Sequence, residues 1–397
     1  MSETNKTIWT KNFIILFTSN AILWMAFEML TPTLPLYLEK CGASPFQIGL
    51  IIGILTLSAM IIRPFTSSML LFLNKQYILF ISILVCVLAT GSYLLTTSLL
   101  LLFFFRVVHG LGFGIATVYY ATLTADNLPD SHLGEGMGYF GIGESVCLSV
   151  GPILGVAMLN KYDFSGMFFS SALISLFAGL LLLRLTGRSL PNSEEKKSSS
   201  EPKAPPKKIT FKLLEKRVLS QSLLMLLNGI IIGGVISFIA LYANERGITN
   251  IAWFFFISAL IGVVIRVLSG KIYDKKGPFY VLLPAGLCLM VGLILISFST
   301  SELQINLAAL FYGIGIGPLF SVLLAWTMTT VDNESREDAM SSFLNFFDFG
   351  VGGGAIFLGV IAQVSSYQFM YLLLAVIAGA NLLATLFLTR VKKNQAA

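Results

Sequence analysis

The segment RVVHGLGFG, residues 106–114, decides the fold and lies inside an apolar run from Leu99 to Tyr120. An arginine at the centre of a membrane-spanning helix costs about 2.5–3.5 kcal/mol on insertion scales, so such charges usually mark functional sites. The three glycines of the segment are spaced two residues apart, which thins the helix on nearly all sides and lets neighbouring helices approach closely. The segment therefore predicts a membrane-spanning helix that packs tightly around a buried charge at Arg106.

The whole chain is apolar: of its 397 residues, 56% are hydrophobic and 12% are charged, and the mean hydropathy is +0.83. Soluble domains carry about 25% charged residues, so this composition indicates a protein whose solvent is lipid. The four cysteines are scattered without a CxxC pair or metal-ligand spacing, so we expect no bound metal and no cofactor. The first apolar run is too long for a cleavable signal, and we expect it to be retained as a membrane span.

Twelve apolar runs reach the length of about 20 residues that a membrane-spanning helix needs. A segment rich in proline, serine and charge, residues 188–216, separates the sixth run from the seventh and lacks the apolar residues of a core. The sequence therefore predicts an all-α integral membrane protein with an N-terminal six-helix bundle at 1–187, a linker at 188–216 and a C-terminal six-helix bundle at 217–397. The runs lie near residues 13–37, 47–70, 77–96, 99–122, 136–160, 166–187, 217–243, 250–271, 278–298, 304–328, 338–363 and 367–389.

The distribution of lysine and arginine predicts the orientation in the membrane. If the N-terminus is cytoplasmic, the outer loops hold only Lys40, Lys161 and Arg246, and every other basic residue except buried Arg106 lies on the cytoplasmic side. Cytoplasmic loops carry the excess of positive charge in membrane proteins. We therefore expect a multi-pass protein of a bacterial plasma membrane with both termini and the linker in the cytoplasm.

An internal repeat relates the two halves at an offset of 203 residues. The glycines of the segment at 106–114 recur in the second half, but alanine stands there in place of Arg106. A parallel repeat of this kind predicts two pseudo-symmetric bundles with a substrate site between them near the middle of the membrane. The matching pairs are Gly110 and Gly313, Gly112 and Gly315, Gly114 and Gly317, Arg63 and Arg266, Met137 and Met340, Phe140 and Phe343, and Gly151 and Gly354.

Several short motifs resemble those of the major facilitator superfamily, over essentially the whole chain. The segment GKIYDKKG at residues 270–277 matches the family's loop GxxxD[RK]xG, and its first-half copy, from Arg63 to Lys75, is degraded. The RxxxGxG pattern that begins at Arg106 is similar to the family's fourth-span motif, which is linked to proton coupling. GPILG at residues 151–155 and PTLP at residues 32–35 are similar to elements of the antiporter branch of drug exporters.

The resemblance implies the twelve-helix major facilitator fold and a set of residues that gate its conformational change. In the cytoplasmic loop, Asp274 is expected to contact a helix N-terminus of the other half and to latch the outward-open state. Leu71 stands at the matching position of the first half, so we expect a looser latch there. A bend at GPILG is expected to serve alternating access, with a static kink as the alternative. The expected gating residues are Arg63, Gly151, Pro152, Gly155, Gly270, Asp274, Lys275 and Gly277.

Three acids lie well inside predicted spans: Glu28, Glu144 and Asp348. Glu28 and Arg106 are each roughly 16 residues from the cytoplasmic ends of their spans, so they lie at similar depth. We predict that Glu28 faces Arg106 and that the pair couples proton movement to substrate binding. A static ion pair that only holds helices together is the alternative, although buried pairs are poor stabilisers.

The other polar residues inside the spans are also candidates. Glu144 is either a proton or cation site or a carboxyl that is hydrogen-bonded in packing. Asp348 and Asn345 share a helix face and could bind a substrate amine or accept a proton, or else join two helices. His109, one turn from Arg106, is either a proton relay or a simple hydrogen-bonded histidine. We expect the cavity to be lined by Trp24, Phe113, Tyr120 and Asn228.

The sequence predicts a proton-coupled secondary active antiporter for efflux of a small drug-like molecule, metabolite or metallophore. A proton-coupled importer of a small nutrient is the first alternative, and a non-transporting receptor or lipid-moving protein is the second. A GxxxxGK[ST] loop is missing from the sequence, as is any nucleophile–base constellation, so we expect neither an ATP-driven pump nor an enzyme. The expected partners are a small-molecule substrate, protons and the lipid bilayer, without nucleic acid, and the chain is expected to be a monomer.

Overall fold

The computed structural model describes residues 8–69, 73–129, 132–185, 215–332 and 335–395, and it contains no strand within these ranges. Short 3-10 turns at Arg63–Phe65, Tyr93–Leu95 and Lys216–Val218 adjoin helix ends. The α-helices in chain order are α1 (Lys11–Lys40), α2 (Pro45–Ile62), α3 (Thr66–Met69), α4 (Lys75–Ser92), α5 (Leu99–Asp126), α6 (Leu133–Leu182), α7 (Leu219–Glu245), α8 (Ala252–Lys276), α9 (Phe279–Phe298), α10 (Glu302–Thr330), α11 (Arg336–Val364) and α12 (Tyr367–Gln395).

The helix α6 is two membrane spans joined at Asp163, whose backbone angles of φ 59° and ψ −175° are non-helical. Residues 144 and 155 of α6 meet residues 20 and 29 of α1, so the first arm runs parallel to α1. Residues 167 and 178 meet residues 33 and 19 of α1, so the second arm runs antiparallel to it. The chain therefore reverses at Asp163, and we call residues 133–162 and 164–182 the first and second arms of α6.

Eleven helices within the described residues are long and apolar enough to cross a membrane, and one of them, Val150–Leu182, contains parts of both arms of α6. When the arms are counted separately, the described part of the chain contains the twelve spans that the sequence predicts. The predicted all-α membrane fold is thus confirmed, and the helix bounds differ from the predicted runs by only a few residues. The predicted linker, 188–216, lies outside the described residues except for Glu215 and Lys216.

The glycines that the sequence singled out lie where helix backbones touch. A Cβ atom added at Gly114 of α5 would come within 2.7 Å of Ala59 Cα in α2. Its repeat mate Gly317 of α10 lies against α8, where a Cβ would come within 2.6 Å of Gly262 Cα. Distances below 3 Å leave no room for a side chain, so the repeat preserves the same close packing in both halves.

The two halves of the molecule are joined most closely on one side. We call the side of the molecule where α1 and α7 begin the linker side, and we call the side where these helices end the far side. On the far side, Asn244 donates a hydrogen bond to Glu39 across the halves at 3.3 Å, and the Phe46 amide donates one to Gln363 at 3.3 Å. On the linker side, Asp274 and Lys275 are exposed. The structure is therefore a conformation in which the far side is closed.

Candidate functional site

Arg106 lies in the middle of α5 with only 4% of its surface exposed. Its Nε and Nη1 atoms have no hydrogen-bond partner among the described residues. The guanidinium carbon lies 5.8 Å from the centre of the Phe27 ring, a distance at which a cation is attracted to an aromatic face. A buried cation without a paired anion is costly, so this guanidinium is available to an anionic group that enters the site.

Aromatic rings cover the side of α1 that faces Arg106. Phe27 stacks on Phe113 with ring centres 4.5 Å apart, and Trp24 packs edge-on against Phe113 at 5.1 Å. Trp24 and Phe113 thus form an aromatic cluster with Phe27, the ring that lies against Arg106, and their role as a cavity lining stays a prediction. These rings offer an apolar and polarisable surface next to the cation.

Glu28 is also buried, at 5% exposure, but it is not in direct contact with Arg106. Its carboxylate accepts a hydrogen bond from the Thr31 hydroxyl at 2.9 Å. No nitrogen of Arg106 lies within 4.0 Å of the Glu28 oxygens, although the two charges interact electrostatically. The two residues form no ion pair in this conformation, in which the Phe27 ring lies against the guanidinium, and the coupling of Glu28 to Arg106 stays a prediction.

The GPILG element places α6 directly against α1. A Cβ at Gly155 would come within 2.9 Å of Met29 Cα, and one at Gly151 would meet the Glu28 side chain and lie 3.1 Å from Met25 O. Glycine at both positions is what allows the first arm of α6 to approach the Glu28 backbone so closely. Pro152 lies between them in a continuous part of the helix.

Glu144 is held inside the first half of the molecule. It lies on the first arm of α6, is half-buried, and accepts a hydrogen bond from Asn20 Nδ2 at 3.0 Å. One turn later the Cys147 thiol donates to the carbonyl of Ala21 at 2.9 Å. Glu144 and its neighbour Cys147 thus contact α1 of their own half, whereas Asp348 lies in the other half.

Asp348 forms an ion pair with Arg63 that joins the two halves. Asp348 on α11 is 7% exposed, and Arg63 follows the last residue of α2. The same two helices also meet backbone to backbone, where a Cβ at Gly352 would come within 2.8 Å of Gly53 O. The sequence singled out both charged residues but not their contact, because nothing in the repeat indicates which helices meet across the halves. Asn345 is half-buried one turn before Asp348.

Three further predicted residues lie in packing. Tyr120 and Asn228 are 0% exposed, so the structure corrects the prediction that they line a cavity in this conformation. The Tyr120 hydroxyl shares a hydrogen bond with Ser19, and Asn228 donates to the Leu224 carbonyl at 3.0 Å. His109 is buried and shares a 3.1 Å hydrogen bond with the Tyr93 hydroxyl.

The loop motif at 270–277 ends α8. Gly277 has φ +82°, a left-handed conformation that favours glycine and stops the helix. Gly270 has open space around its Cα, and Asp274 and Lys275 are exposed. Leu71 of the first-half copy lies outside the described residues, and the Asp274 latch stays a prediction for the state closed on the linker side. Within the described ranges, no group of three or more His, Cys, Asp or Glu residues is arranged to hold a metal ion.

Comparison with known proteins finds transporters that are similar to this chain. The model of the Major Facilitator Superfamily matches residues 16–355. The staphylopine export protein of Staphylococcus aureus is 24% identical over 91% of this chain and 92% of that protein. The multidrug resistance protein MdtG of Enterobacter lignolyticus is 24% identical over 95% and 92% of the two chains. The crystal structure of the nucleoside transporter NupG is 13% identical with a TM-score of 0.75, over 95% of this chain and 99% of that chain.

Proposed function

Because the chain belongs to the major facilitator superfamily and is a multi-pass membrane transporter, we propose that it exports a small organic molecule in exchange for protons. The observation that carries the proposal is the site on α1 and α5, where the Glu28 carboxyl and the Arg106 guanidinium are both buried and the Nε and Nη1 atoms of Arg106 have no hydrogen-bond partner among the described residues. Intramembrane charges of this kind mark transport pathways far more often than they stabilise a fold.

Exchange follows if a proton and a cationic group of the cargo compete for Glu28. A buried carboxylate is unfavourable unless a proton or a cation neutralises it. Release of the proton therefore requires the cargo to bind, and release of the cargo requires a proton to bind. Thr31 donates to the carboxylate and so orients it. The guanidinium of Arg106 interacts electrostatically with the Glu28 carboxyl.

The same site favours an amphipathic cargo that carries both charges. The carboxylate of the cargo would pair with Nε and Nη1 of Arg106, and the apolar part of the cargo would pack on Trp24, Phe27 and Phe113. Relatives named as a multidrug resistance protein and a staphylopine export protein support export over import. An amino-acid-derived chelator or a drug-like zwitterion fits this description.

We also infer the location and the orientation from the charge distribution. The linker side carries the excess of lysine and arginine, so it faces the cytoplasm of a bacterial cell, with both termini on that side. The closed far side then faces outward, and this conformation would receive cargo from the cytoplasm. The chain is proposed to work as a monomer.

The test uses everted membrane vesicles energised by respiration, with acridine orange fluorescence as the measure of the pH gradient. A panel of drug-like zwitterions and amino-acid-derived chelators is added to vesicles that contain the wild-type chain. At least one compound should enter the vesicles and dissipate the gradient, and Glu28→Gln should abolish both effects. Glu245→Gln changes an exposed acid at the end of α7 and is the matched control, which should behave as wild type. Gradient-driven uptake that is unchanged in Glu28→Gln would refute the coupling role.

A further inference from the structure

The Tyr93 hydroxyl lies beside Arg106 inside the first half of the molecule, at the turn that follows α4. Tyr93 is only 1% exposed. Its hydroxyl shares a hydrogen bond of 3.1 Å with Nδ1 of His109 and is also hydrogen-bonded to the Arg106 guanidinium. Because Nε and Nη1 of Arg106 have no partner among the described residues, the bond to Tyr93 is assigned to Nη2. Tyr93 therefore holds one nitrogen of the guanidinium and leaves the other two to a ligand.

The direction of these hydrogen bonds follows from the groups that form them. A guanidinium carries only donors, so the Tyr93 oxygen accepts from Arg106. The hydroxyl hydrogen is then donated to Nδ1 of His109, which accepts it in the tautomer that carries its proton on Nε2. Arg106, Tyr93 and His109 thus form one directed chain, in which His109 fixes the rotation of the hydroxyl and the hydroxyl fixes the guanidinium.

Tyr93 is itself held in place by helices on two sides. Its ring packs edge-on against Phe168 in the second arm of α6, with ring centres 5.5 Å apart. At the same turn, the Tyr37 hydroxyl of α1 donates a hydrogen bond to the carbonyl of Thr96 at 3.0 Å and lies 3.4 Å from the carbonyl of Tyr93. Arginine has a long side chain that loses much rotamer freedom when it is ordered. An anchor fixed by α1, α4 and α6 therefore orders Arg106 before a ligand arrives.

The second half of the molecule indicates that the fold does not require this hydroxyl. At the offset of 203 residues, Ile296 stands in place of Tyr93 and Ala309 stands in place of Arg106, and both are 0% exposed. The hydroxyl and the guanidinium are thus present together in one half and absent together in the other. Packing alone therefore does not explain a tyrosine at position 93. The register is supported by the matching contacts of Gly112 with Cys86 and of Gly315 with Leu289.

We propose that Tyr93 is a positioning residue of the export site, which holds Nη2 of Arg106 so that the other N–H groups of the guanidinium face the carboxylate of the cargo. The inference rests on the anion-binding role that the proposed function gives to Arg106. Tyr93 acts on the cargo only through Arg106, so it raises the affinity for carboxylates and leaves the affinity for neutral analogues unchanged. Affinity rises because the ordering of the side chain is completed before the cargo binds.

The test measures the binding of two fluorescent probes, dansylglycine and its amide, to the full-length protein in lipid nanodiscs by energy transfer from tryptophan to the dansyl group. The wild type should bind the acid more tightly than the amide. Tyr93→Phe keeps the ring and should weaken binding of the acid roughly tenfold, as expected for the loss of a hydrogen bond to a charged group, without a change for the amide. Tyr93→Ile, which introduces the residue of the second half, should have the same effect. Tyr242→Phe removes another fully buried hydroxyl, and as the matched control it should bind both probes as the wild type does.

Arg106→Leu completes a double-mutant cycle. This variant should bind the two probes equally, and the addition of Tyr93→Phe should cause no further change, because the hydroxyl acts through the guanidinium. An acid preference that survives in both Tyr93 variants, equal losses for the two probes, or a loss that adds to that of Arg106→Leu would overturn the positioning role and leave the proposed exporter intact. A wild type that shows no preference for the acid, or binds neither probe, would remove the anion site from the proposed function and this inference with it.

Discussion

At the scale of single residues, replacement of Arg106 can distinguish a functional role of its buried charge from a structural role. A buried ion or ion pair replaced by an apolar side chain of similar volume is often neutral or stabilising, because the desolvation cost disappears. The Nε and Nη1 atoms contribute no hydrogen bond to the fold of the described residues. The buried charge therefore destabilises the folded protein, and we expect such a charge only where transport requires it.

We expect Arg106→Leu to leave the melting temperature unchanged or raised, and to reduce transport of a carboxylate-bearing compound more than tenfold. Thermal unfolding in detergent, followed by tryptophan fluorescence, gives the first value, and uptake into everted vesicles gives the second. Lys161→Leu, at an exposed far-side position, serves as the control and should change neither. A folding defect in Arg106→Leu, with transport per folded molecule intact, would instead indicate a structural charge.

For His109, in contrast to Arg106, the contact with Tyr93 leads us to expect a structural role and not a functional one. Both side chains are buried and share one hydrogen bond, which suits a packing role for His109. Tyr93→Phe should lower the free energy of unfolding by about 0.5–1.5 kcal/mol for each hydrogen bond lost, because the hydroxyl bonds both His109 and Arg106. The pH dependence of transport should stay as in the wild type. A displaced pH profile would restore the alternative in which His109 relays protons.

At the scale of helices, the glycine repeat makes a prediction with an internal control. Gly114→Ala and Gly317→Ala place a methyl group within 2.7 Å of a neighbouring helix backbone, which cannot shift without moving a whole span. Overpacking of this kind costs roughly 1–3 kcal/mol. Gly91 in α4 has no atom within 4 Å of an added Cβ, so Gly91→Ala should be neutral or stabilising. Thermal unfolding of the three variants measures the difference, and equal stability of all three would contradict the packing argument.

The helices could be predicted from sequence because the thickness of the bilayer sets their length, and the repeat located the close contacts of Gly114 and Gly317. The partners of Glu28 could not be predicted. Counting residues along a helix gives depth but not rotation about the axis, so Glu28 and Arg106 match in depth while Phe27 occupies the contact. The pair of Arg63 and Asp348 joins residues 285 positions apart, and nothing local in the chain encodes it.

At the scale of the whole molecule, the far side is held closed by tight contact between α11 and the start of α2. A Cβ at Gly359 would lie 2.7 Å from Pro45 O and 3.1 Å from Phe46 Cα. A larger side chain there acts as a wedge between the halves in this conformation only. A wedge that costs about 1–3 kcal/mol shifts a two-state equilibrium by roughly 5- to 150-fold.

We therefore expect Gly359→Val to open the far side and close the linker side together, as the proposed alternating access of two rigid halves requires. Labels at K161C and N250C should move apart while those at H132C and K276C approach, both measured by pulsed electron paramagnetic resonance. Gly141→Val places the same side chain where an added Cβ meets no atom within 4 Å, and it should change neither distance. Separation on the far side without approach on the linker side would mean that the halves do not move as rigid bodies. In that case the two ends of the cavity would be gated independently by local helix motion.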